Sequence, residues 1–344
     1  PPGKLADMTE WIRGAASSEA GQGERPWFAF FHTYAVHDPY LPPKQFIRKF
    51  VEPGYAGKIL GDPISLSKAI RNGEDLAPWA ESHAKAAENF WARVDAEDPE
   101  DLEHLRQLYL AGVAGFDFLL KGFMAELEAE GLLENTIVVI TSDHGEEFGE
   151  HGDTRHNGVW REHLHVPLLV AIPDSVGGGP DPDRHGRVID APVRHMDLMP
   201  SLLDLMGLEP EGLVAHGMLG ESWAAWVDDP GAVTDGRPIY SEHRSKLERP
   251  LDLWSLRYGD HLLIQPEPGS DPMLFDLGQN ALELGAAAGF PGLLDPDDPT
   301  YAELLDLQRR ELGRFQREAE GIGAGPGVEL DAAARAELEA LGYL

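Results

Sequence analysis

The sequence contains no cysteine. This absence excludes disulfide bonds, thiolate metal sites and a cysteine nucleophile within the chain. Basic residues are also scarce, since 28 lysines and arginines stand against 60 aspartates and glutamates, for a formal net charge of −32. A general nucleic-acid-binding protein needs a basic face, so we expect no nucleic-acid partner. No stretch reaches the roughly 18 unbroken apolar residues of a membrane-spanning helix, so we expect no membrane span.

The 344 residues are too many for one simple core, and the hydrophobic content of 42% is typical of a globular protein. We expect one large domain over residues 1–234 and a smaller α+β domain over residues 235–344. Residues 46–99 are polar with scattered aromatics and predict a helical insertion or lid. The chain begins Pro1-Pro2-Gly3, without methionine or a signal peptide, so we interpret it as a piece of a longer protein.

The most informative stretch is Asn135–Gly152. Its β-branched run Ile137–Ile140 is typical of a buried strand in a parallel sheet. Asp143 and His144 follow at the strand exit, where open α/β sheets place their ligands. A carboxylate beside an imidazole is a reasonable pair of metal ligands. For the dipeptide taken alone, a turn capped by the aspartate with a solvated histidine is the preferred interpretation.

The same order recurs near the start of the chain. The aromatic run Pro26–Phe31 predicts a second buried strand, and His37 and Asp38 follow it. Asp38 either caps the turn or hydrogen-bonds a histidine, and the cap is the preferred interpretation.

Helix–strand alternation along the rest of the chain indicates an α/β class. The expected helices are Leu5–Arg13, Asp101–Gly131, Met196–Leu208 and Tyr301–Glu320. The expected strands are His163–Pro173, Gly236–Glu242, Leu253–Gln265 with a turn at Gly259-Asp260, and Met273–Leu277.

At this point the sequence resembles the C-terminal part of a sulfatase, of the alkaline-phosphatase-like superfamily. The resemblance runs in order along nearly the whole chain. The matching stretches are Pro26–Pro43, Leu105–Gly115 with Asp117, Asn135–Gly152, His156–Pro173, Val193–Leu208 with Gly217, and Glu337–Leu344.

The resemblance implies an α/β sandwich with a mixed, mostly parallel sheet between helices. It implies that Asp143 and His144 are metal ligands, for a divalent cation with calcium favoured and zinc or manganese as alternatives. His37 matches a histidine that contacts the sulfate and serves the leaving group. His156 stands where many sulfatases carry a lysine, so its charge depends on pH.

Other polar residues allow a functional and a structural interpretation. His151 and Tyr40 are candidates for substrate binding, although Tyr40 suits core packing about equally. Glu146 and Glu147 suit an exposed acidic turn better than support of a metal ligand, and His163 is expected to be structural.

The family's nucleophile is a cysteine or serine in a Cys/Ser-x-Pro/Ala-x-Arg motif, oxidised to formylglycine. Residues 1–25, ahead of the first matching stretch, contain no such motif. Formylglycine is therefore expected only in the missing N-terminal part, and this chain alone is expected to be inactive. A short, nucleophile-free pseudoenzyme is the alternative interpretation.

The sequence thus predicts a metal-dependent hydrolase of small-molecule or glycan sulfate esters. A phosphomonoester, phosphodiester or phosphonate hydrolase of the same superfamily is one alternative, and a non-catalytic protein that binds sulfated ligands is another. The resemblance favours a periplasmic or extracellular location, while the substrate and the oligomeric state stay open.

Overall fold

The structure is a computed structural model that describes residues 2–16, 26–59, 61, 86–176, 186–208, 220–233, 237–243, 253–266, 269–278, 293–295 and 297–321. Two of the family-like positions, Gly217 and Glu337–Leu344, lie outside these residues. The described residues up to Glu134 form one compact unit, and those from Asn135 to Gly327 form another. The predicted domain boundary at residues 234/235 falls inside the second unit and stays a prediction.

The first unit is built on helices α1 (Pro2–Ala16), α2 (Lys44–Phe50) and α3 (Pro99–Ala129). The sequence explains both ends of α3, because the Asp98 side chain accepts a hydrogen bond from the Glu100 amide and Pro99 occupies the first turn. Gly131 follows the helix with a φ of 71°, a conformation that glycine adopts without strain.

Helix α3 buries one face inside this unit. Leu105, Leu108 and Ala111 are fully buried, and Phe46 of α2 packs against Phe118. On the exposed side, Arg13 of α1 pairs with Glu126 at 2.8 Å. These contacts confirm the predicted helices at Leu5–Arg13 and Asp101–Gly131. Between α2 and α3 the described residues contain irregular backbone and a helical stretch over residues 86–91.

By length and composition alone, α3 is apolar enough to cross a membrane. Core helices of globular proteins meet the same criterion, so a single such helix is weak support for a membrane span. The expectation that this chain has no membrane span therefore stays a prediction.

The second unit begins with β1 (Val138–Thr141), which pairs antiparallel with β4 (Leu168–Ala171). Between them lie a small hairpin of β2 (Glu147–Phe148) and β3 (Thr154–Arg155), and the one-turn helix α4 (Arg161–Leu164). This connection carries most of the polar residues singled out in the sequence.

A four-stranded antiparallel sheet follows, in the order β5 (Ile239–His243), β6 (Leu253–Tyr258), β7 (His261–Gln265) and β8 (Met273–Asp276). The two-residue turn between β6 and β7 is the predicted Gly259-Asp260, and Gly259 has a φ of 58°. The remaining elements are a 3₁₀ turn at His195–Asp197, α5 (Leu198–Leu205), α6 (Ala224–Asp228), a 3₁₀ turn at Pro230–Ala232 and α7 (Pro299–Gly321).

Two apolar clusters connect these elements. Val159 and Trp160, just before α4, pack against Leu253, Ile264 and Phe275 of the four-stranded sheet. Leu304 of α7 packs against the sheet through Leu263 and Leu274. The four-stranded sheet therefore supports the segment that enters α4.

Two expectations about strands are wrong in the described residues. Residues 26–31 form no strand, and Phe28 and Phe30 are 68% and 80% exposed, because this run has no hydrogen-bonded strand neighbour there. The pairing of β1 is antiparallel rather than parallel, and the described strand pairs are all antiparallel. An apolar run indicates burial on two faces but does not specify the direction of the neighbouring strand.

We expect Leu108→Ala to lower the free energy of unfolding by about 2–5 kcal/mol, because it removes a fully buried side chain and leaves a cavity. Leu110, which is 37% exposed on the same helix, provides the matched control. Leu110→Ala should lower the free energy of unfolding by less than about 1 kcal/mol. Urea unfolding followed by tryptophan fluorescence measures both. Equal losses for the two variants would contradict the buried face assigned to α3.

Candidate functional site

The loop that leaves β1 is held at three points. The Thr141 hydroxyl donates to the Pro167 carbonyl oxygen at 2.9 Å, and His195 Nε2 lies 2.8 Å from the Ser142 carbonyl oxygen. The Gly145 amide donates to the His163 carbonyl oxygen at 2.8 Å. The residues between these points, Asp143 and His144, are therefore held on a short and well-supported loop.

The hydrogen bonds of His144 determine which ring nitrogen carries the proton. Its Nδ1 lies 2.9 Å from the Gly145 carbonyl oxygen, which can only accept. Nδ1 is therefore the protonated nitrogen of the neutral ring, and Nε2 carries the lone pair that a metal ion needs. The Asp143 carboxylate accepts from the His144 amide at 3.1 Å and is 48% exposed. A carboxylate and an imidazole are chemically suited to a divalent cation, and their predicted role as metal ligands stays a prediction.

His156 is oriented by a carboxylate. Its Nδ1 lies 3.1 Å from Glu146 Oε1, and its ring stacks on that of His144 with centroids 4.0 Å apart. The Glu146 side chain is only 5% exposed, so the expectation that Glu146 lies in an exposed acidic turn is wrong. A buried carboxylate that accepts from Nδ1 leaves the lone pair of the neutral ring on Nε2.

A second row of acid–histidine pairs lies in the same connection. His151 Nε2 lies 3.0 Å from Glu162 Oε2, and the His151 ring stacks on Trp160 at 3.9 Å. Burial is the largest single effect and raises the pKa of Glu162. The hydrogen bond from His151, a backbone hydrogen bond and the charges of His151 and His163 together outweigh burial, so the net shift in the pKa is downward. With its Nε2 engaged and its ring covered, His151 is placed to support α4 rather than to meet a substrate.

His163 and Glu147 form the other pair, 3.4 Å apart and both buried. Burial lowers the pKa of His163 to about 4 and raises that of Glu147, although Glu147 accepts backbone hydrogen bonds from His151 and Asp153. The pair thus favours its neutral forms, and the expected structural role of His163 agrees with this placement.

His37 and Tyr40 belong to the first unit. His37 Nδ1 lies 3.0 Å from the Asp38 carboxylate, which also accepts a hydrogen bond from the Trp91 indole. The preferred interpretation of Asp38 as a turn cap therefore gives way to the histidine partner. Tyr40 is 2% exposed and packs edge-on against Phe90 and Trp91, an environment typical of core packing.

His243, at the end of β5, is a residue that sequence reasoning missed. Burial lowers its pKa, and the charge of His156 lowers it further, so the two imidazoles interact. In the antiparallel ladder of β5 and β6, His243 lies opposite Leu253. Leu253 packs in the same apolar cluster as Val159. The sequence signal that could have identified His243 is a histidine at the end of a predicted strand. Nothing local connects it to His156, because the two residues are about ninety positions apart in the chain.

Comparison with known proteins identifies the family. The sulfatase family profile matches residues 5–208, more than half of the chain, so this protein belongs to the sulfatase family. Among characterised relatives, arylsulfatase K of Danio rerio is 26% identical over 261 residues, which is 71% of this chain and 46% of that protein. The chain thus spans about half the length of the curated relatives it matches.

Two solved structures share the fold. BT4656 in complex with its substrate D-glucosamine-2-N,6-O-disulfate has a TM-score of 0.59 and 17% identity over 93% of this chain and 70% of that chain. The phosphonate monoester hydrolase of Agrobacterium radiobacter has a TM-score of 0.57 and 20% identity over 92% and 61%. The alkaline-phosphatase-like α/β class predicted from the sequence is confirmed at this level.

We expect Gly145→Ala to destabilise the second unit. A Cβ at this position would lie 2.0 Å from the Glu162 carbonyl oxygen, a backbone atom that moves only with α4. The cost is about 1–3 kcal/mol, measured as a lower Tm by differential scanning calorimetry.

Gly122 of α3 is the matched control, because a Cβ there meets no atom within 4 Å. Gly122→Ala should be neutral or stabilise the helix by up to about 1 kcal/mol. An unchanged Tm for Gly145→Ala would contradict the close approach of the loop to α4.

We expect His163 to make the protein less stable at mildly acidic pH. The unfolded chain protonates histidine near pH 6.5, whereas the folded pKa is about 4. The contribution of the neutral ring is therefore complete above about pH 6.5, falls as the pH drops towards 4, and changes no further below that. The slope of unfolding free energy against pH is at most about 1.4 kcal/mol per pH unit for one proton.

The measurement is urea unfolding of the wild type and of His163→Gln between pH 7 and pH 5. The wild type should lose more stability than His163→Gln over this interval, while the exposed His32→Gln control should follow the wild type. Parallel curves for wild type and His163→Gln would exclude this linkage.

Proposed function

We propose that this protein is the C-terminal part of a divalent-metal-dependent hydrolase of sulfate esters. The observation that supports it best is the arrangement of Asp143, His144 and His156 within the second unit. Two stacked imidazoles each have an acceptor at Nδ1, and a carboxylate adjoins them in sequence. Membership of the sulfatase family supports a role for this arrangement in sulfate-ester chemistry.

Asp143 and His144 are the residues that would hold the cation. When bound, a divalent cation supplies positive charge that polarises sulfate oxygens. The carboxylate suits calcium, as the resemblance favours, whereas the imidazole nitrogen suits zinc or manganese better. Two ligands from this chain make an incomplete site, so binding to the chain alone should be weak.

His156 takes the role of an anion-binding donor in this proposal. Its Nδ1 is hydrogen-bonded to the buried Glu146, so the ring can present a donor through Nε2 at the position where many sulfatases carry a lysine. His37 is assigned, by resemblance, to the leaving-group oxygen as an acid. His151 and Tyr40 receive no substrate role, because both are covered by aromatic neighbours.

We assign the nucleophile to a segment outside this chain. A literal Ser-x-Ala-x-Arg sequence occurs at Ser67–Arg71, but it follows the His37 stretch, whereas the family's motif precedes the matching stretches. Ser67 also lies outside the described residues. Formylglycine and an acidic metal-binding pair are therefore proposed for the portion of the relatives' length that this chain does not span.

The substrate class we propose is a sulfate monoester of a small molecule or a glycan. The sugar disulfate bound to BT4656 supports the glycan class through shared fold alone. The net charge of −32 opposes any polyanion, so a substrate with few sulfates suits this protein better than a highly sulfated polymer. A periplasmic or extracellular location belongs to the same proposal, by resemblance.

We expect the chain to bind a divalent cation weakly and Asp143→Ala to abolish that binding. Isothermal titration calorimetry with calcium, zinc and manganese separately would show which cation is preferred. Glu150→Ala, which removes an acid near the site that is not assigned as a ligand, should leave the binding unchanged. Equal titration of wild type and Asp143→Ala would contradict the assigned ligand.

We expect the full-length protein, with the upstream coding region restored, to release sulfate from 4-nitrophenyl sulfate in a chelator-sensitive reaction. Hydrolysis of 4-nitrophenyl phenylphosphonate, a phosphonate monoester, or of 4-nitrophenyl phosphate in preference would favour the phosphonate or phosphate hydrolase alternative instead. Binding of a sulfated sugar without turnover, with metal present, would identify a non-catalytic sulfate-binding protein and overturn the enzymatic proposal.

A further inference from the structure

We propose that Asp38, held by Trp91, is a positioning residue that fixes the proton of His37 on Nδ1 and directs Nε2 to the reacting group. The proposal rests on the proposed function, since it deepens the role of His37 as an acid. The three residues all belong to the first unit, and the contacts among them lie within it.

The atoms around His37 Nδ1 are acceptors. Nδ1 lies 2.8 Å from the backbone carbonyl oxygen of Asp38 and 3.0 Å from its carboxylate Oδ1. A carbonyl oxygen and a carboxylate oxygen cannot donate, so Nδ1 holds a proton in the neutral ring as well as in the charged ring. Any proton that His37 exchanges with a substrate therefore passes through Nε2.

The Asp38 carboxylate is fixed by a second group. Its other oxygen, Oδ2, accepts a hydrogen bond from the Trp91 indole N–H, a group that only donates. The Asp38 side chain is about 90% buried, so water does not replace these partners easily. The carboxylate thus has one oxygen committed to the indole and the other to the imidazole.

Aromatic packing keeps Trp91 in place. Its ring contacts Tyr40 and Phe90 edge-on, with centroids 6.0 and 5.4 Å away, and Tyr40 and Phe90 are buried. Trp91 ends the helical stretch over residues 86–91, in the segment predicted as an insertion or lid. The described end of that segment is therefore coupled to the orientation of His37.

The arrangement suits proton transfer through Nε2. Because Nδ1 is engaged by Asp38, Nε2 is the His37 nitrogen that can present a proton to a leaving oxygen. Asp38 acts through His37, and it needs no contact with the substrate.

The first test reads the tautomer directly. In the chain labelled with ¹⁵N-histidine, long-range ¹H–¹⁵N correlation spectra distinguish Nδ1–H from Nε2–H rings, and His37→Gln identifies the His37 signals. We expect a neutral Nδ1–H ring in the wild type. In Asp38→Asn the backbone carbonyl oxygen of residue 38 can still accept from Nδ1, so we expect a partial rise of the Nε2–H population. Trp91→Phe, which keeps the ring packing but removes the donor, should give a smaller change in the same direction.

Asp117→Asn is the matched control, since it removes an exposed carboxylate of α3 and the same charge. It should leave the His37 signals unchanged. If Asp38→Asn does not fold, Trp91→Phe decides the question by itself. An unaltered tautomer in the folded variants would overturn the proposal, whatever activity the protein has.

The second test uses kinetics of the full-length protein. Asp38→Asn should lower kcat by at least roughly tenfold, a fraction of the 10²–10⁴ that a positioned acid contributes, with KM changed little. The loss should be larger for an alkyl sulfate than for 4-nitrophenyl sulfate, because the poorer leaving group depends more on the acid. Equal losses for both esters would contradict the positioning role, whereas absence of turnover by the wild type would instead refute the proposed function.

Discussion

The close approach of Gly145 to α4 is the constraint on which the second unit's site depends. The Gly145 amide donates to His163, and the space beside its Cα is filled by the Glu162 carbonyl oxygen. This contact joins the loop after β1 to α4, although the β2–β3 hairpin separates them in the sequence. Because the loop is anchored there, Asp143 and His144 are presented in one conformation, and the His156 ring can stack on His144.

Several histidines singled out in this chain are each paired with a carboxylate. His156 is paired with Glu146, His151 with Glu162, His163 with Glu147, and His37 with Asp38. In a chain with more than twice as many acids as bases, a buried carboxylate is the available partner for an imidazole. The pairs differ in burial, and their chemistry differs accordingly. Burial lowers the pKa of His163 to about 4, whereas His144 and His156 are partly exposed.

The four-stranded sheet also contributes to the site. Leu253, Ile264 and Phe275 pack against Val159 and Trp160, and these two residues lie between His156 and α4. His243 reaches the neighbourhood of His156 through the same packing. The sheet that the sequence assigned to a separate smaller domain thus supports the segment that carries the candidate anion-binding histidine.

Local pattern was sufficient for several features. The helix periodicity of α1, α3, α5 and α7, the turn at Gly259-Asp260 and the placement of Asp143-His144 after a strand are local, because caps, turns and apolar spacing act over a few residues. The resemblance to sulfatases rested on short motifs in order along the chain, and the family is confirmed. In contrast, the predicted strand at residues 26–31 failed, because a strand requires a neighbour that its own residues do not specify.

Composition and local pattern were enough to identify the candidate reactive groups in an acidic chain without cysteine. These are Asp143-His144 after a strand, His37 and His156. Which carboxylate hydrogen-bonds each imidazole depends on the fold. Glu146 was expected to be exposed and Asp38 to cap a turn, yet both orient histidines. The physical reason is that a ring nitrogen's role depends on the acceptor beside it, and the burial of that acceptor is set by residues distant in the chain, such as Trp91 for Asp38.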